Sequence, residues 1–423
     1  MQNTDNPKTL TVPVERLVPG LYVDLKLSWK QHPFLFSRFK LKSAEEIAII
    51  QQLGLKTVTV FPDRSDAKAK EHDAPNQPDN DPEATRNTLW DTKRKRIDAA
   101  AQYRRRRGKV AHRYQETVKK VKRLNQDLNA NPANAMRDAG EVIAEMTSAF
   151  THQGDLLINL INLADSDYSY YNHALNVTVL SMTLGRAIGL EAHELHDLGM
   201  AAMLHDIGKA MIPNKIVMKR GPLSKTENKL LETHTQLGGK LARNLRQLRP
   251  EVIEVIEQHH EFIDGSGYPK GLKGDALKRN TRIVAITNLY DDLCNPANSA
   301  DALPPKAVMA ILFKKYANKL DSTLVQQMIA CMGVYPPGTV VQLSDQSIGL
   351  VTAVNTKALL KPHVLLYNPE IPRNEALAID LTEHDDLSIV DVLRPGDYDK
   401  RIYDYLGIQE RIGYFYENLN PPM

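Results

Sequence analysis

The sequence has few cysteines and no long apolar segment. Its two cysteines, Cys294 and Cys331, are too few for a disulfide framework, and neither lies in a C-x-x-C pair. No apolar run approaches the roughly 18 residues that a membrane span needs. The first ten residues are polar and contain no hydrophobic secretion segment. These absences predict a protein of the reducing cytoplasm without a transmembrane segment.

Basic charge is concentrated in one segment. Between Lys93 and Arg123, 14 Lys and Arg residues stand against Asp98 and Glu116, a local net charge of +12, whereas the whole chain carries +3. The remainder is therefore acidic, at about −9, which is not the pattern of a uniformly basic nucleic-acid binder. The segment is interpreted as a solvated connecting helix or as a surface for an anionic partner or membrane. No base-reading motif lies beside it, so sequence-specific binding to nucleic acid is not expected.

A chain of 423 residues is too long for one core, so several domains are expected. Strand-like alternation and a helix with a Ser43–Glu46 capping box predict a small α+β module at the start. An Asp/Asn/Pro-rich stretch from Asp73 to Pro82 predicts a flexible linker. The predicted organisation is an N-terminal α+β module over 1–62, a flexible polar linker over 63–88, a basic connecting helix over 89–132, a helical domain over 133–332, and a β-rich C-terminal appendage with a tail over 333–423.

Apolar residues recur with helical spacing through almost all of 133–332. The predicted helices cover 134–163, 168–189, 191–211, 224–247, 250–260, 281–295, 304–318 and 321–332. The domain is accordingly predicted to be almost entirely helical.

One short motif in this helical domain carries unusual chemistry. It reads His205-Asp206-Ile207-Gly208-Lys209 and lies in a helical pattern. Adjacent imidazole and carboxylate groups are suitable ligands for a divalent transition metal. Lys209 follows His205 by four residues, on the same predicted helix face, where its charge could reach a phosphate held by that metal. Alone the motif is a weak signal, because any helix can carry one His-Asp pair.

Four further histidines support the prediction of a metal site at the 205–209 motif. His173 and His234 lie in separate predicted helices, and His259 and His260 end a third, directly before a Gly-rich turn that runs from 261 to 269. Side chains that converge from several helices are how helical bundles build metal sites. Any one of these histidines alone would be an ordinary core or surface residue, and that is the interpretation given to His112, His152, His193 and His196.

Together these motifs resemble the HD-GYP subgroup of metal-dependent phosphohydrolases. The resemblance spans about 165–330 and rests on His173, the 205–209 motif, His234 with Gly238, and His259-His-Glu-x-x-Asp-Gly-x-Gly-Tyr-Pro269 followed by Gly271-Leu-Lys-Gly274. Residues 12–61 resemble the domain of unknown function that often precedes this catalytic domain. The implied fold class is mainly α: an all-helical HD-type catalytic domain flanked by a small N-terminal α+β module and a small C-terminal β-rich segment.

The resemblance also implies an activity and a site. The family hydrolyses cyclic dinucleotides, usually cyclic di-GMP, with two or three bound iron or manganese ions, and a donor set without Cys suits iron or manganese while leaving zinc or nickel open. The implied catalytic residues are Asp206 and Lys209; the implied substrate-binding residues are Lys209, Gly267, Tyr268 and Pro269. By the same resemblance Asp206 bridges two metal ions, His173 and His205 bind one, and His234, His259 and His260 bind the other; Asn288 stands where the family has a further ligand.

Three positions depart from the family pattern. Asn288 replaces an Asp, which removes one negative charge from the site. The segment 294–299 replaces an Arg-Pro-Tyr segment whose Arg helps to hold substrate, which leaves room for a mixed cyclic GMP–AMP substrate. Ser169 stands where members with three metals have Glu, so we expect two metal ions.

Three functions are compatible with these motifs. The first is a phosphodiesterase that opens cyclic di-GMP or 3′,3′-cyclic GMP-AMP to the linear 5′-phosphorylated dinucleotide. The second is a catalytically weak or inactive effector that binds nucleotide or protein partners, in which the change at Asn288 has silenced the chemistry. The third, a mononucleotide phosphohydrolase of the broader HD group, is disfavoured by the Gly-Tyr-Pro motif. The accessory module and the long linking helix favour a homodimer.

Overall fold

The structure is a computed structural model that describes residues 9–34, 36–68, 82–152, 156–163, 169–219, 221–355, 358–384, 387–394, 397–408 and 411–418. These residues fall into two compact units, one within 1–104 and 366–379, the other within 105–365 and 380–423. The assignment of 366–379 to the first unit differs from the single appendage expected over 333–423. Its physical reason is an apolar cluster in which Ile371 and Leu377 bury against Trp29. The other domain boundaries remain predictions.

The first unit contains a four-stranded antiparallel sheet in the order β1-β4-β2-β3. Its strands are β1 (Leu10–Pro13), β2 (Tyr22–Asp24), β3 (Arg38–Lys40) and β4 (Thr57–Val60), and its helix is α1 (Ala44–Gln52). The Ser43 hydroxyl accepts a hydrogen bond from the backbone N–H of Glu46, as the capping pattern predicts. Apolar side chains from α1 and the strands form one buried core. The predicted α+β module is confirmed.

Two long helices follow, α2 (Pro82–Ala130) and α3 (Pro132–Thr151). Residues 69–81, which include most of the stretch behind the linker prediction, lie outside the described residues. The helix begins before the predicted linker ends at 88, because Pro82 is well suited to the first helical turn and the residues after it continue a helix. The predicted basic helix is confirmed within α2.

The second unit is mainly helical. Its helices after α3 are α4 (Tyr170–Ala187), α5 (Ala192–Leu204), α6 (Asn214–Val217), α7 (Lys225–Glu232), α8 (His234–Asn244), α9 (Pro250–Gln258), α10 (Arg279–Cys294), α11 (Pro305–Lys314), α12 (Ser322–Met332) and α13 (Lys400–Leu406). Helix α5 packs against α4 and α9, α10 packs against α4, and α8 packs against α9. The helices that carry the predicted histidines are therefore neighbours.

The second unit also contains an antiparallel sheet, and one of its strands lies where a helix was predicted. Its strands β5 (Leu156–Leu163), β6 (Val340–Leu343), β7 (Ile348–Asn355), β10 (Ile389–Leu393) and β11 (Arg411–Asn418) lie in the order β10-β6-β7-β5-β11, with β8 (His363–Leu366) beside β7; β9 covers Ala378–Asp380. The helix predicted over 134–163 is wrong from Leu156 onwards, and 133–332 is not entirely helical. The run Leu-Leu-Ile-Asn-Leu-Ile-Asn-Leu fits a helix as well as a strand buried on both faces, so periodicity alone could not decide.

Two other predicted helices are interrupted. The pattern over 191–211 ends as an α-helix at Leu204, and a 3-10 turn covers Ile207–Met211. The pattern over 224–247 is divided at Thr233 between α7 and α8. Among the described residues, no helix combines the length and the apolar composition that crossing a bilayer requires.

Candidate metal centre

The predicted histidines and Asp206 converge on one buried place in the second unit. His173 lies in α4, His205 follows α5, His234 begins α8, and His259 and His260 follow α9. They form two groups of possible ligands, His173 with His205 and Asp206, and Asp206 with His234, His259 and His260. Within each group the ligand atoms lie within 4.8 Å of one another. Asp206 belongs to both groups, which is the arrangement a bridging carboxylate requires.

Three of the imidazoles are oriented by the ends of the helices that precede them. The last carbonyls of an α-helix lack partners within the helix. The Nδ1 atoms of His205, His234 and His259 each lie 2.6–3.0 Å from the carbonyl oxygen three residues earlier, on Ala202, Leu231 and Ile256 respectively. An Nδ1–H that donates to a carbonyl leaves the Nε2 lone pair free to face the centre. Nε2 of His234 lies 3.2 Å from Nε2 of His259, so these lone pairs do converge.

His173 is held differently, because it lies inside a helix. Its Nδ1 lies 2.7 Å from Oδ2 of Asp291 in α10, and its Nε2 lies 3.3 Å from Nε2 of His205. The other oxygen of Asp291 accepts hydrogen bonds from the side-chain amides of Asn176 and Asn295. Asp291 is therefore a support for His173 rather than a member of either group.

Asp206 is almost fully buried, with 3% of its surface exposed. Its Oδ2 accepts from the Lys209 ammonium at 2.5 Å. Within the described part of the chain its Oδ1 has no hydrogen-bond partner, although Nε2 of His234 lies 3.3 Å away. Burial alone would raise the pKa of this carboxyl, but the charges of Lys209 and His205 hold it well below its usual range. The residue is thus a buried carboxylate with one oxygen left for another cation.

The imidazoles differ in protonation. Burial lowers the pKa of His234 to about 4, and burial together with the neighbouring imidazoles lowers the pKa values of His259 and His260 well below the usual range. Burial would also lower the pKa of His173, but its hydrogen bond to Asp291 and the nearby carboxylates raise it to about 9. The three histidines of the second group are therefore neutral and able to bind a metal at neutral pH, whereas His173 releases a proton when it binds one.

The donor set fits a pair of transition-metal ions. It consists of imidazole nitrogens and carboxylate oxygen without thiolate, a combination that suits iron, manganese or zinc. The unpartnered Oδ1 of Asp206 faces the second group, which is the direction in which a bridging ligand needs an oxygen. A buried acceptor without a partner costs free energy unless something else occupies it.

Asn288 lies beside the first group. It is 3% exposed, and its Oδ1 lies 2.9 Å from Nε2 of His173. The carbonyl oxygen therefore adjoins the same point that His173 and His205 face. The structure brings all seven predicted metal-binding residues together.

Lys209 is placed by a turn rather than by helix periodicity. Since α5 ends at Leu204, the predicted shared helix face with His205 is wrong. The 3-10 turn instead lets the ammonium pair with Asp206 while about a fifth of the side chain stays exposed. The Lys209 ammonium therefore lies at the edge of the centre, where an anionic ligand can reach it.

The Gly-Tyr-Pro segment forms one wall of the centre. The Tyr268 ring stacks on the His260 ring with centroids 4.7 Å apart and planes at 19°. A Cβ at Gly267 would lie 2.4 Å from the carbonyl oxygen of His260, so no larger residue fits there. Gly267 and Tyr268 thus lie against His260, a member of the second metal group, and Pro269 directly follows them.

Two supporting residues have roles that the motif did not define. Glu261 is 1% exposed, and its carboxylate accepts the backbone N–H groups of Lys270, Gly271 and Leu272. Gly208 allows the turn after Asp206 to contact α8, because a Cβ there would lie 1.9 Å from the carbonyl oxygen of His234. The sequence signal for Glu261 was its place directly after two histidines and before a turn rich in glycine.

Comparisons with known proteins agree with this site. Residues 9–139 match a domain of unknown function, DUF3391, and residues 155–324 match the HD domain family. The cyclic di-GMP phosphodiesterase PA4108 of Pseudomonas aeruginosa is 29% identical over 235 residues, 54% of this chain and 55% of that protein. The 3′3′-cGAMP-specific phosphodiesterase 2 of Vibrio cholerae is 29% identical over 177 residues, 41% of this chain and 34% of that protein.

The chain thus spans about half or less of the length of these relatives. The solved structure of Bd1817, a HDG"Y"P protein from Bdellovibrio bacteriovorus, aligns with 76% of this chain and 98% of its own at 18% identity, with a TM-score of 0.42, too low to support a conclusion. The two family matches and the His-Asp motifs carry the assignment. Residues 155–324 therefore match the HD domain family and carry the motifs that resemble its HD-GYP type, and a match to DUF3391 over 9–139 precedes them.

Proposed function

We propose that the protein is a metal-dependent phosphodiesterase that hydrolyses a cyclic dinucleotide, cyclic di-GMP or 3′,3′-cyclic GMP-AMP, to the linear 5′-phosphorylated dinucleotide. The observation that carries this proposal is the pair of ligand groups that share Asp206. In the reaction a water oxygen bonds to phosphorus, one P–O3′ bond breaks, and the released 3′ oxygen takes a proton. The named activities of the relatives from Pseudomonas and Vibrio support this substrate class.

The proposed ligands are His173, His205 and Asp206 for one ion and Asp206, His234, His259 and His260 for the other, with Asn288 beside the first. When bound, two such ions neutralise the phosphate charge and lower the pKa of a coordinated water, so that a nucleophile is available at neutral pH. Iron or manganese is proposed because the donors are imidazole and carboxylate.

The chain's own groups position the substrate. The Lys209 ammonium is fixed by Asp206 and partly exposed, so it is proposed to contact the scissile phosphate and stabilise the leaving oxygen. The Tyr268 ring, stacked on His260, offers an aromatic wall or a hydroxyl to a nucleotide. Glu261 keeps the Gly-Tyr-Pro loop in place through three backbone hydrogen bonds.

The test is incubation of the manganese- or iron-loaded protein with each of the two cyclic dinucleotides, followed by chromatography of the products. We expect metal-dependent formation of the linear dinucleotide and a loss of at least about 100-fold in His205→Ala, since even indirect supports of a metal ligand cost 10- to 100-fold. His193→Ala is the matched control, because His193 is exposed on α5, the helix that ends directly before His205. Turnover that is unchanged by chelation and by His205→Ala would exclude the proposal.

The second candidate is an effector that binds the nucleotide without turnover, and Asn288 is the observation that favours it. Calorimetry that shows tight binding of a cyclic dinucleotide to metal-loaded protein, with no product formed, would support this function instead.

The remaining proposals concern the location, the oligomeric state and the regulation of the protein. We propose a cytoplasmic homodimer whose DUF3391 domain regulates the HD domain, with α2 as the connection. Sedimentation that shows only monomer at micromolar concentration would contradict the dimer.

A further inference from the structure

Asn288 presents a problem that an aspartate would not. A carboxylate offers oxygen on both sides, whereas an amide offers a carbonyl oxygen on one side and an NH2 donor on the other. If the amide turned over, a donor would face the point on which His173 and His205 converge, and Asn288 could not serve as a ligand there. Something must therefore fix its orientation.

Asp292 is placed to do so. It lies four residues after Asn288, on the same face of α10. The Nδ2 of Asn288 lies 3.3 Å from Oδ2 of Asp292, and the Oδ1 of Asn288 lies 2.9 Å from Nε2 of His173. An ionised carboxylate accepts hydrogen bonds and cannot donate them, so it selects the NH2 end of the amide. The carbonyl end is then left facing His173.

We propose that Asp292 is a positioning residue that holds the Asn288 amide with its oxygen toward the first metal group, so that a neutral side chain can serve as a ligand. Asp292 is half-exposed, outside the groups of possible ligands, and its carboxylate approaches His173 Nδ1 to 4.0 Å. It therefore also places near the first group a negative charge that Asn288 does not carry. This inference rests on the proposed metal-dependent function.

The test measures metal content and affinity rather than activity alone. Each purified variant is reconstituted with manganese, and bound metal per chain is measured by mass spectrometry. We expect two ions in the wild type and, in Asp292→Ala, one site whose affinity is weakened by about 10- to 100-fold, the usual effect of removing a support of a ligand. Asp292→Asn keeps an acceptor oxygen and is expected to retain most of the affinity. Asp98→Ala, an exposed Asp on α2, is the matched control.

The same substitution is then made in a second variant, Asn288→Asp. There the amide is gone, and either carboxylate oxygen can face the first group without being held in place. Asp292→Ala should therefore weaken the first site much less in Asn288→Asp than in the wild type, because only a nearby negative charge is lost. A merely structural role for Asp292 would lower the affinity by the same factor in both proteins.

The outcomes separate the two claims. If the wild type binds no metal, the proposed function and this inference both fail. If the wild type binds two ions and hydrolyses the substrate, but Asp292→Ala leaves metal content and affinity unchanged or lowers them equally in Asn288→Asp, only this inference is overturned. Thermal melting of each variant shows whether the fold is intact, which is expected for a half-exposed side chain.

Discussion

Replacing Gly208 by alanine tests how the centre is assembled. The turn after Asp206 packs so closely on α8 that the new Cβ would lie 1.9 Å from the carbonyl oxygen of His234 and 2.5 Å from the backbone nitrogen of Gly238. Real Cβ atoms essentially never approach another atom within 3.0 Å, so the two segments must separate by about 1.1 Å. Backbone atoms on both sides leave no flexible side chain to absorb this movement.

The separation would pull Asp206 and His234 apart. A misplacement of about 1 Å costs on the order of 100-fold in rate, and overpacking of this kind costs about 1–3 kcal/mol in the free energy of unfolding. We therefore expect Gly208→Ala to fold, to bind fewer than two metal ions per chain, and to hydrolyse cyclic dinucleotide about 100-fold more slowly. The assay is product chromatography on manganese-loaded protein, with metal content measured on the same sample.

Gly140→Ala is the matched control. A Cβ at this position in α3 would meet nothing within 4 Å. Since Ala favours a helix interior over Gly by about 0.5–1 kcal/mol, this variant should be as active as the wild type. Activity of Gly208→Ala within twofold of Gly140→Ala would refute the argument from close packing.

Three other predictions follow from the same contacts. Glu261→Ala should raise KM by roughly tenfold or more with little change in bound metal, because the loop at Tyr268 loses its anchor; steady-state kinetics with metal analysis checks this. Lys209→Met should lower kcat by about 100-fold while metal stays bound, since it removes one positive charge from the edge of the centre; equal losses in kcat and metal content would contradict it. His32 has a pKa lowered to about 4 by burial and by Lys93, so the unfolded chain binds more protons between pH 6.5 and 4. As the pH falls through that interval, the first unit should therefore lose up to about 3 kcal/mol in its free energy of unfolding, and His32→Asn should remove this part of the loss. The measurement is urea unfolding, followed by the fluorescence of the chain's two tryptophans, which both lie in this unit.

What the sequence could predict depended on the range of the interactions involved. The residues of the centre were found because their chemistry is written in short motifs. Strand β5 was not found, since what makes Leu156–Leu163 a strand is pairing with β11, which lies about 250 residues later. Local periodicity could not distinguish that strand from a buried helix.

The orientation of the histidines follows a rule that the sequence could have revealed. His205, His234 and His259 each come at a helix end, where the carbonyl three residues earlier has no partner within the helix and can accept Nδ1–H. A metal-binding histidine that does not come at the end of a helix has no such carbonyl and must find another acceptor. His173 lies near the start of α4, and Asp291 of the neighbouring helix α10 supplies a carboxylate. By the same reasoning the amide of Asn288, which is also inside a helix, needs a partner, and Asp292 on the same face of α10 accepts its hydrogen bond.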